Sequence, residues 1–223
     1  MRTRVYLADT AALEDAALYA RLYSAMPPYR KEKIDALRFD RDKRLSLGAG
    51  AALQKALSDL GEPMLRVAFG EHGKPYFPDR PDLQFNLSHS GTRVLCALSD
   101  APIGCDVEKI ASAQMRVAKR FFSPKETALL EAQKDLLAQK ELFCRIWTLK
   151  ESFMKATGRG LSLPMDSFSV CPAGETVILE QSLDEAPYAF CEWDFSDGFR
   201  YACCRRGEAQ DEPPALIRTA FSE

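Results

Sequence analysis

Two short stretches hold the residues best suited to chemistry. In Ile103-Gly104-Cys105-Asp106-Val107-Glu108-Lys109, Asp106 and Glu108 stand two positions apart, so on a strand they point to one face of the sheet and can share a cation. In Trp147-Thr148-Leu149-Lys150-Glu151-Ser152-Phe153-Met154-Lys155, a helix places Trp147, Glu151 and Lys155 at i, i+4 and i+8, one stripe carrying a carboxylate and an ammonium. Carboxylate oxygens are the hard donors that Mg²⁺ prefers, usually in company with substrate phosphates and water. Facing one another, the two stripes would form a metal-dependent phosphate site. Taken singly, a D-x-E pattern is more often a solvated strand face, and Glu151 with Lys155 an ordinary i, i+4 pair.

Other residues qualify by type. His89 lies in Asn86-Leu87-Ser88-His89-Ser90-Gly91, read as a strand running into a tight loop that offers N–H groups, a hydroxyl and an imidazole to phosphate oxygens; a plain turn histidine is the simpler reading. From Arg30 through Lys33 to Arg44 runs a basic segment interleaved with Glu32, Asp35 and Asp42, either a phosphate contact or a solvated helix face. Ser123-Pro124-Lys125-Glu126 has the form of a capping box, which gives Glu126 a structural duty. There is no GxSxG, GxGxxG or Walker loop, so covalent and P-loop chemistry are unsupported.

Positioning these residues takes several short elements. Strands are expected at Arg4–Leu7, Met64–Phe69, Leu83–Leu87, Arg93–Leu98 and through Asp106 and Glu108, then at Ser167–Val170, Thr176–Leu179, Tyr188–Trp193 and Phe199–Cys203. Helices are expected at Ala11–Tyr23, after a cap at Asp40 as far as Gly61, from about Ser112 to Phe121, from Pro124, and from Leu142 to Thr157 before Gly158. The segment from Gln133 to Lys140 fits a loop or a helix continuation. Runs of strands and helices without βαβ alternation indicate an α+β fold with antiparallel sheets. Asp100-Ala101-Pro102 is turn chemistry and the expected junction between an N-terminal half, 1–102, and a C-terminal half, 103–223.

The chain has 223 residues, enough for one large domain or two of roughly 100 residues. With 30 Lys+Arg against 32 Asp+Glu its formal charge is −2, which points away from nucleic acid. Its 7 cysteines are scattered without metal-finger spacing, and no apolar run is long enough to span a bilayer, so a reduced, cytoplasmic protein without a membrane role is expected.

Phe85-Asn86-Leu87-Ser88-His89-Ser90, Ile103-Gly104-Cys105-Asp106-Val107-Glu108, Arg120-Phe121-Phe122-Ser123-Pro124-Lys125-Glu126, the Trp147–Lys155 stretch and Gly158-Arg159-Gly160-Leu161, in this order, closely resemble the 4′-phosphopantetheinyl transferases of the larger, single-chain pseudo-dimeric type. The resemblance extends from about Arg30 to Val170 and is loose over the final fifty residues. It implies two similar α+β halves about a pseudo-twofold axis, with coenzyme A between them and Mg²⁺, or Mn²⁺, at its pyrophosphate. Asp106, Glu108 and Glu151 match the family's metal-binding acids. Ser88, His89 and Lys155 match residues at the phosphates, Lys74 a basic residue near the nucleotide, and Arg30, Lys33 and Arg44 the basic 3′-phosphate region. Glu151, Lys155 and Glu126 match the catalytic groups. The implied reaction moves 4′-phosphopantetheine to a serine of an acyl, peptidyl or polyketide carrier domain and releases 3′-phospho-AMP. A monomer is expected, since one chain should hold both halves of the site. The alternatives are a coenzyme A or carrier-binding module without turnover and a Mg²⁺-dependent nucleotide pyrophosphatase.

Overall fold

The chain lays down the same succession of elements twice. In the computed structural model, which describes residues 1–113 and 115–221, strand β1 (Arg4–Asp9) is followed by helices α1 (Ala16–Ser24), α2 (Pro28–Asp35) and the long α3 (Asp40–Ser58). Next come a small ribbon, β2 (Ala68–Phe69) with β3 (Pro75–Tyr76), and the pair β4 (Gln84–Ser90) and β5 (Arg93–Ser99). The second succession is β6 (Ile103–Lys109), α4 (Met115–Phe121), α5 (Pro124–Glu131), the long α6 (Leu136–Thr157), a ribbon of β7 (Ser169–Ala173) and β8 (Thr176–Glu180), and the pair β9 (Tyr188–Trp193) and β10 (Phe199–Arg206). Pairing repeats as well: β5 lies between β1 and β4, and β10 between β6 and β9, all antiparallel. A last strand, β11 (Ala215–Arg218), returns to the first sheet and pairs parallel with β1. The tail, grouped with the second half on sequence, is therefore hydrogen-bonded into the first.

The fold is α+β, layered as helix, sheet, sheet, helix. Period-two alternation turns Val5, Leu7, Leu95 and Ala97 of the first sheet toward Ile103, Cys105, Val107, Tyr201 and Cys203 of the second, in one shared core. On the outer faces α3 packs through Leu45, Leu53 and Leu57 on Tyr6 and Phe85, and α6 packs through Leu149 and Phe153 on Ala202 and Cys204. Each such buried side chain contributes roughly 1.5–3 kcal/mol, which outweighs the cost of about 1 kcal/mol for each of Gly48 and Gly50 inside α3. Both glycines sit in tight packing: an added Cβ would lie 2.6 Å from Thr10 Cγ2 at Gly48 and 2.6 Å from Met26 Sδ at Gly50, so those side chains would have to shift.

Several local expectations shift. The first helix begins as a 3₁₀ turn, Thr10–Glu14, and restarts at Ala16, where the Asp15 carboxylate caps Leu18 N–H at 2.8 Å. Asp40 is not the cap of α3 but its first residue, behind Phe39, and joins Asp42 in the turn where the helix dipole favours acids. Of Met64–Phe69 only Ala68 and Phe69 pair as strand. The expected helix near Ser112 runs Met115–Phe121, residue 114 lying outside the described residues. The capping box at Ser123 forms, and α6 reaches back to Leu136 because Asp135 accepts from Ala138 N–H at 2.7 Å. Gly158, at φ +76°, ends it in the left-handed region. All seven cysteines are free, and among the described residues no helix is long and apolar enough to cross a membrane.

Candidate active site

Gly104 sets the centre of the site. A Cβ built there would stand 2.0 Å from Ser152 O and 2.5 Å from Ala156 N, so β6 and the C-terminal half of α6 touch backbone to backbone, a contact only glycine permits. The next outward-facing residue of β6 is Asp106, which the close approach brings to the Glu151 and Lys155 stripe of α6. Lys155 Nζ donates to Asp106 Oδ1 at 2.6 Å and to Cys105 O at 3.2 Å, and lies 4.0 Å from Glu151 Oε2. Asp106 is 3 % exposed, and its Oδ2 is buried without a hydrogen-bond partner.

The electrostatics are those of crowded acids. Burial, then the Asp106 charge, push the Glu108 carboxyl up to about 7 against the opposing hydrogen bond from Ser90. Glu151 is also raised, by burial first; Lys155 opposes the shift and Asp106 adds to it. Lys155 itself is raised, because Asp106 and Glu151 together outweigh a burial that pulls it down. Among the described residues no three metal-ligating side chains are grouped tightly enough to hold an ion as they stand. The donor set nevertheless fits a hard divalent cation: oxygen donors, a buried unpartnered Asp106 Oδ2, and carboxyl groups that adjoining positive charge would relieve.

Ser88 and Ser90 lie in strand rather than loop. Strand β4 runs through Ser90, and the turn is reduced to Gly91-Thr92, with Gly91 at φ +61°. Its alternate side chains face the edge of β6 and stand in for a backbone ladder. Asn86 Oδ1 accepts from Cys105 N–H at 2.8 Å, Ser88 Oγ from Val107 N–H at 3.4 Å, and Ser90 Oγ from Lys109 N–H at 3.2 Å. The same hydroxyls donate to the acids, Ser88 to Asp106 Oδ1 at 2.7 Å and Ser90 to Glu108 Oε2 at 2.9 Å. Asn86 and Ser90 were not singled out by their chemistry; the period-two Asn-x-Ser-x-Ser pattern was the available signal.

The structure does not bring Glu126 into this cluster. It is fully buried and both its oxygens are occupied: Oε2 by Ser123 N–H at 2.8 Å, Oε1 by Val170 N–H at 2.7 Å and Lys150 Nζ at 2.6 Å. Lys150, equally buried, also donates to Phe168 O at 2.8 Å and lies 4.1 Å from the centre of the Phe168 ring. Burial lowers the Lys150 ammonium, with Glu126 opposing. This pair ties α5, α6 and β7 together, and the capping duty of Glu126 is the one it performs.

The basic residues divide. Arg30, Lys33 and His89 line a cavity of about 170 Å³ with Tyr29, Ser46 and Phe69, between α2, α3, β4 and the β2–β3 ribbon. Three polar atoms on its walls, Tyr29 Oη, Arg30 Nε and Ser46 Oγ, are buried without partners. Burial and the Arg30 charge lower the Lys33 ammonium, and burial, then Lys33 and Lys155, lower the His89 imidazolium. Such a cavity suits a polyanion. Arg44 belongs elsewhere, beside Glu14 at 3.7 Å on a separate surface hollow with Tyr19 and Asp40. Lys74 turns away from the cavity: its Nζ donates to Ile103 O at 3.0 Å and Ala156 O at 3.3 Å, and burial pushes it down to about 8.

Residues 102–204 match the family model of the 4′-phosphopantetheinyl transferase superfamily, a span that begins at the approach to β6 and ends in β10. The chain is 37% identical over 207 residues to the 4′-phosphopantetheinyl transferase Sfp of Bacillus subtilis, with 91% of each chain covered. A second 4′-phosphopantetheinyl transferase of Bacillus subtilis is 36% identical over 188 residues, covering 82% of this chain and 84% of its own. A solved holo-[acyl-carrier-protein] synthase of Thermotoga maritima aligns with 49% of this chain and 65% of its own, at 20% identity and a TM-score of 0.42. With relatives matched nearly end to end, and the acids of β6 and α6 inside the matched span, the chain belongs to the 4′-phosphopantetheinyl transferase superfamily.

Proposed function

We propose that this protein, a phosphopantetheinyl transferase by family, uses coenzyme A as donor and the serine hydroxyl of an acyl or peptidyl carrier domain as acceptor at the junction of β4, β6 and α6. The observation that carries this reading is the pairing of a crowded carboxylate cluster with an adjoining polyanion cavity whose polar walls lack partners. Arg30, Lys33, Tyr29 and Ser46 would receive the nucleotide end of coenzyme A through its 3′-phosphate, with His89 at the cavity mouth toward the pyrophosphate. Arg44 and Glu126 are left out of these roles, and the N-terminal half is assigned chiefly to the nucleotide and the C-terminal half to the acids.

Asp106, Glu108 and Glu151 would hold Mg²⁺. When bound, the ion supplies charge neutralisation across the pyrophosphate. Ser88 and Ser90 orient two of these acids, and Lys155 Nζ stands ready to stabilise charge on phosphate oxygens. The carrier serine Oγ attacks the β-phosphorus while the bond from that phosphorus to the bridging oxygen breaks, and 3′-phospho-AMP leaves with that oxygen. Glu151, the acid of the α6 stripe beside Lys155, would accept the hydroxyl proton.

The test is direct. Incubation with coenzyme A, Mg²⁺ and apo carrier domains should add one phosphopantetheinyl group to the carrier serine by mass spectrometry, with no coenzyme A cleavage when the carrier is omitted. Cleavage without carrier, or no adduct on any fatty-acid, polyketide or peptide carrier, would overturn the proposal.

A further inference from the structure

We infer that Lys74 is a positioning residue, whose ammonium clamps the last turn of α6 onto the start of β6 and so holds Glu151 and Lys155 in register with Asp106. The inference rests on the transfer reaction proposed above and assigns the Lys74 side chain away from the nucleotide.

The clamp stands where the geometry is least tolerant. Ile103 O and Ala156 O, the two acceptors of Lys74 Nζ at 3.0 and 3.3 Å, flank the Gly104 crossing. There Ala156 N lies 2.5 Å, and Lys155 Cβ 2.8 Å, from where a Gly104 Cβ would be. Ala156 adjoins Lys155 in sequence, and Ile103 lies on the same short strand as Cys105 and Asp106, two of the three groups that Lys155 Nζ grips, the third being Ser88 Oγ on β4. Lys74 and Lys155 therefore bridge the same two elements, one from outside the helix end and one from inside the site. A slip of α6 along β6 lengthens both sets of bonds together.

The chemistry of a helix end favours this arrangement. Carbonyls of the last helical turn lack intrahelical partners and carry the negative end of the helix dipole, so an ammonium is the fitting cap. The Lys74 stem runs over the glycine that ends α6, its Cδ 3.7 Å from where a Gly158 Cβ would be. Two of the three N–H groups of its ammonium are directed to these backbone carbonyls. The clamp also comes from the β2–β3 ribbon of the first half and grips two elements of the second.

Three measurements on Lys74→Met and Lys74→Arg test it: kcat for carrier modification, the Kd of coenzyme A by calorimetry without carrier, and amide hydrogen exchange. Lys74→Met should lower kcat about tenfold or more while the Kd of coenzyme A stays within about twofold. Exchange should quicken in the final turn of α6 and at the start of β6. Lys74→Arg, which can still donate to both carbonyls, should restore most of kcat and the protection. A Kd raised about tenfold with kcat intact would make Lys74 a ligand contact and overturn the inference, as would unchanged exchange in Lys74→Met. The exchange readout needs no turnover, so a failure of the transferase reading leaves the clamp separately decided.

Discussion

The two sheets present equivalent strands that have opposite uses. Aligning β1 and β6 at the points where each enters a 3₁₀ turn sets Tyr6 at the place of Asp106 and Ala8 at that of Glu108. Following the registers outward, Leu7 to Leu95 to Ser88 and Val107 to Tyr201 to Trp193, sets Trp193 at the place of Ser88, Cys191 at that of Asn86 and Phe195 at that of Ser90. In one seam an Asn-x-Ser-x-Ser ladder meets two acids and leaves polar groups for a ligand. In the other, Cys191, Trp193 and Phe195 pack on the shared core with Leu216 of β11, which has taken the free edge of β1. One architecture, used twice, therefore yields one polar seam and one apolar seam. The polar seam gives up burial and keeps chemistry; the apolar seam does the reverse.

The same contrast holds beside the long helices. Next to α3, Tyr29, Arg30 and Ser46 leave polar atoms unpartnered. At the corresponding place beside α6, a larger hollow of about 660 Å³ has its Arg145 held internally, donating to Glu192 at 2.7 and 2.9 Å and to Gly174 O at 3.0 Å, and carries one unpartnered buried atom, Arg200 Nε. An arginine whose donors are already held by a carboxylate and a carbonyl has fewer left for a ligand.

The comparison is broken most sharply in the polar seam. Asp106→Ala should reduce carrier modification on the order of 10³-fold while circular dichroism and elution volume stay unchanged; near-normal turnover would remove Asp106 from the chemistry. In the apolar seam the expected effect is on stability. Trp193→Ala, at a half-buried position, should cost about 2 kcal/mol, a fall in thermal midpoint of roughly 4–8 °C, with kcat within about twofold. A drop in kcat without a drop in stability would dissolve the division between the seams.

The smallest effect concerns pH. Glu108, ordinarily near 4.5, is pushed up to about 7 in the folded protein, so between these values the folded state binds more proton than the unfolded. Its stabilising contribution is complete below the lower value and is lost as pH rises through the upper one. Stability should decline from about pH 5 to about pH 8, by an amount on the order of 1 kcal/mol after screening at a partly buried site. Glu108→Gln should flatten that decline, which a melting series reads directly.

Much of the site was legible because its chemistry is local. Asp106 with Glu108, and Glu151 with Lys155, needed only the periods of strand and helix. Where the structure gives a side chain other partners than its type suggested, the cause is shared: a polar residue's type does not say which polar group satisfies it. Glu126 was matched to catalysis, yet Lys150 and the Val170 N–H consume it. Ser88 and Ser90 resembled a phosphate loop, yet they serve as rungs between two strands of different sheets. Arg44 lies in the basic run, but on α3 helical phase turns it away from Ser46, which lines the cavity with Arg30.

Sequence alone determined most of the longer strands and helices, the capping box at Ser123, the αL end at Gly158 and the acids that share a face, since each depends on neighbours within a few residues; it did not show the helix Pro28–Asp35 or the strand Ala215–Arg218. Only the tertiary structure decided how the elements of the second half repeat those of the first, that β11 covers one seam, and that Gly104 lets α6 come close enough for Lys155 to meet Asp106. These depend on contacts between segments far apart in the chain, where hydrophobic burial and the missing Cβ set distances that no local pattern records.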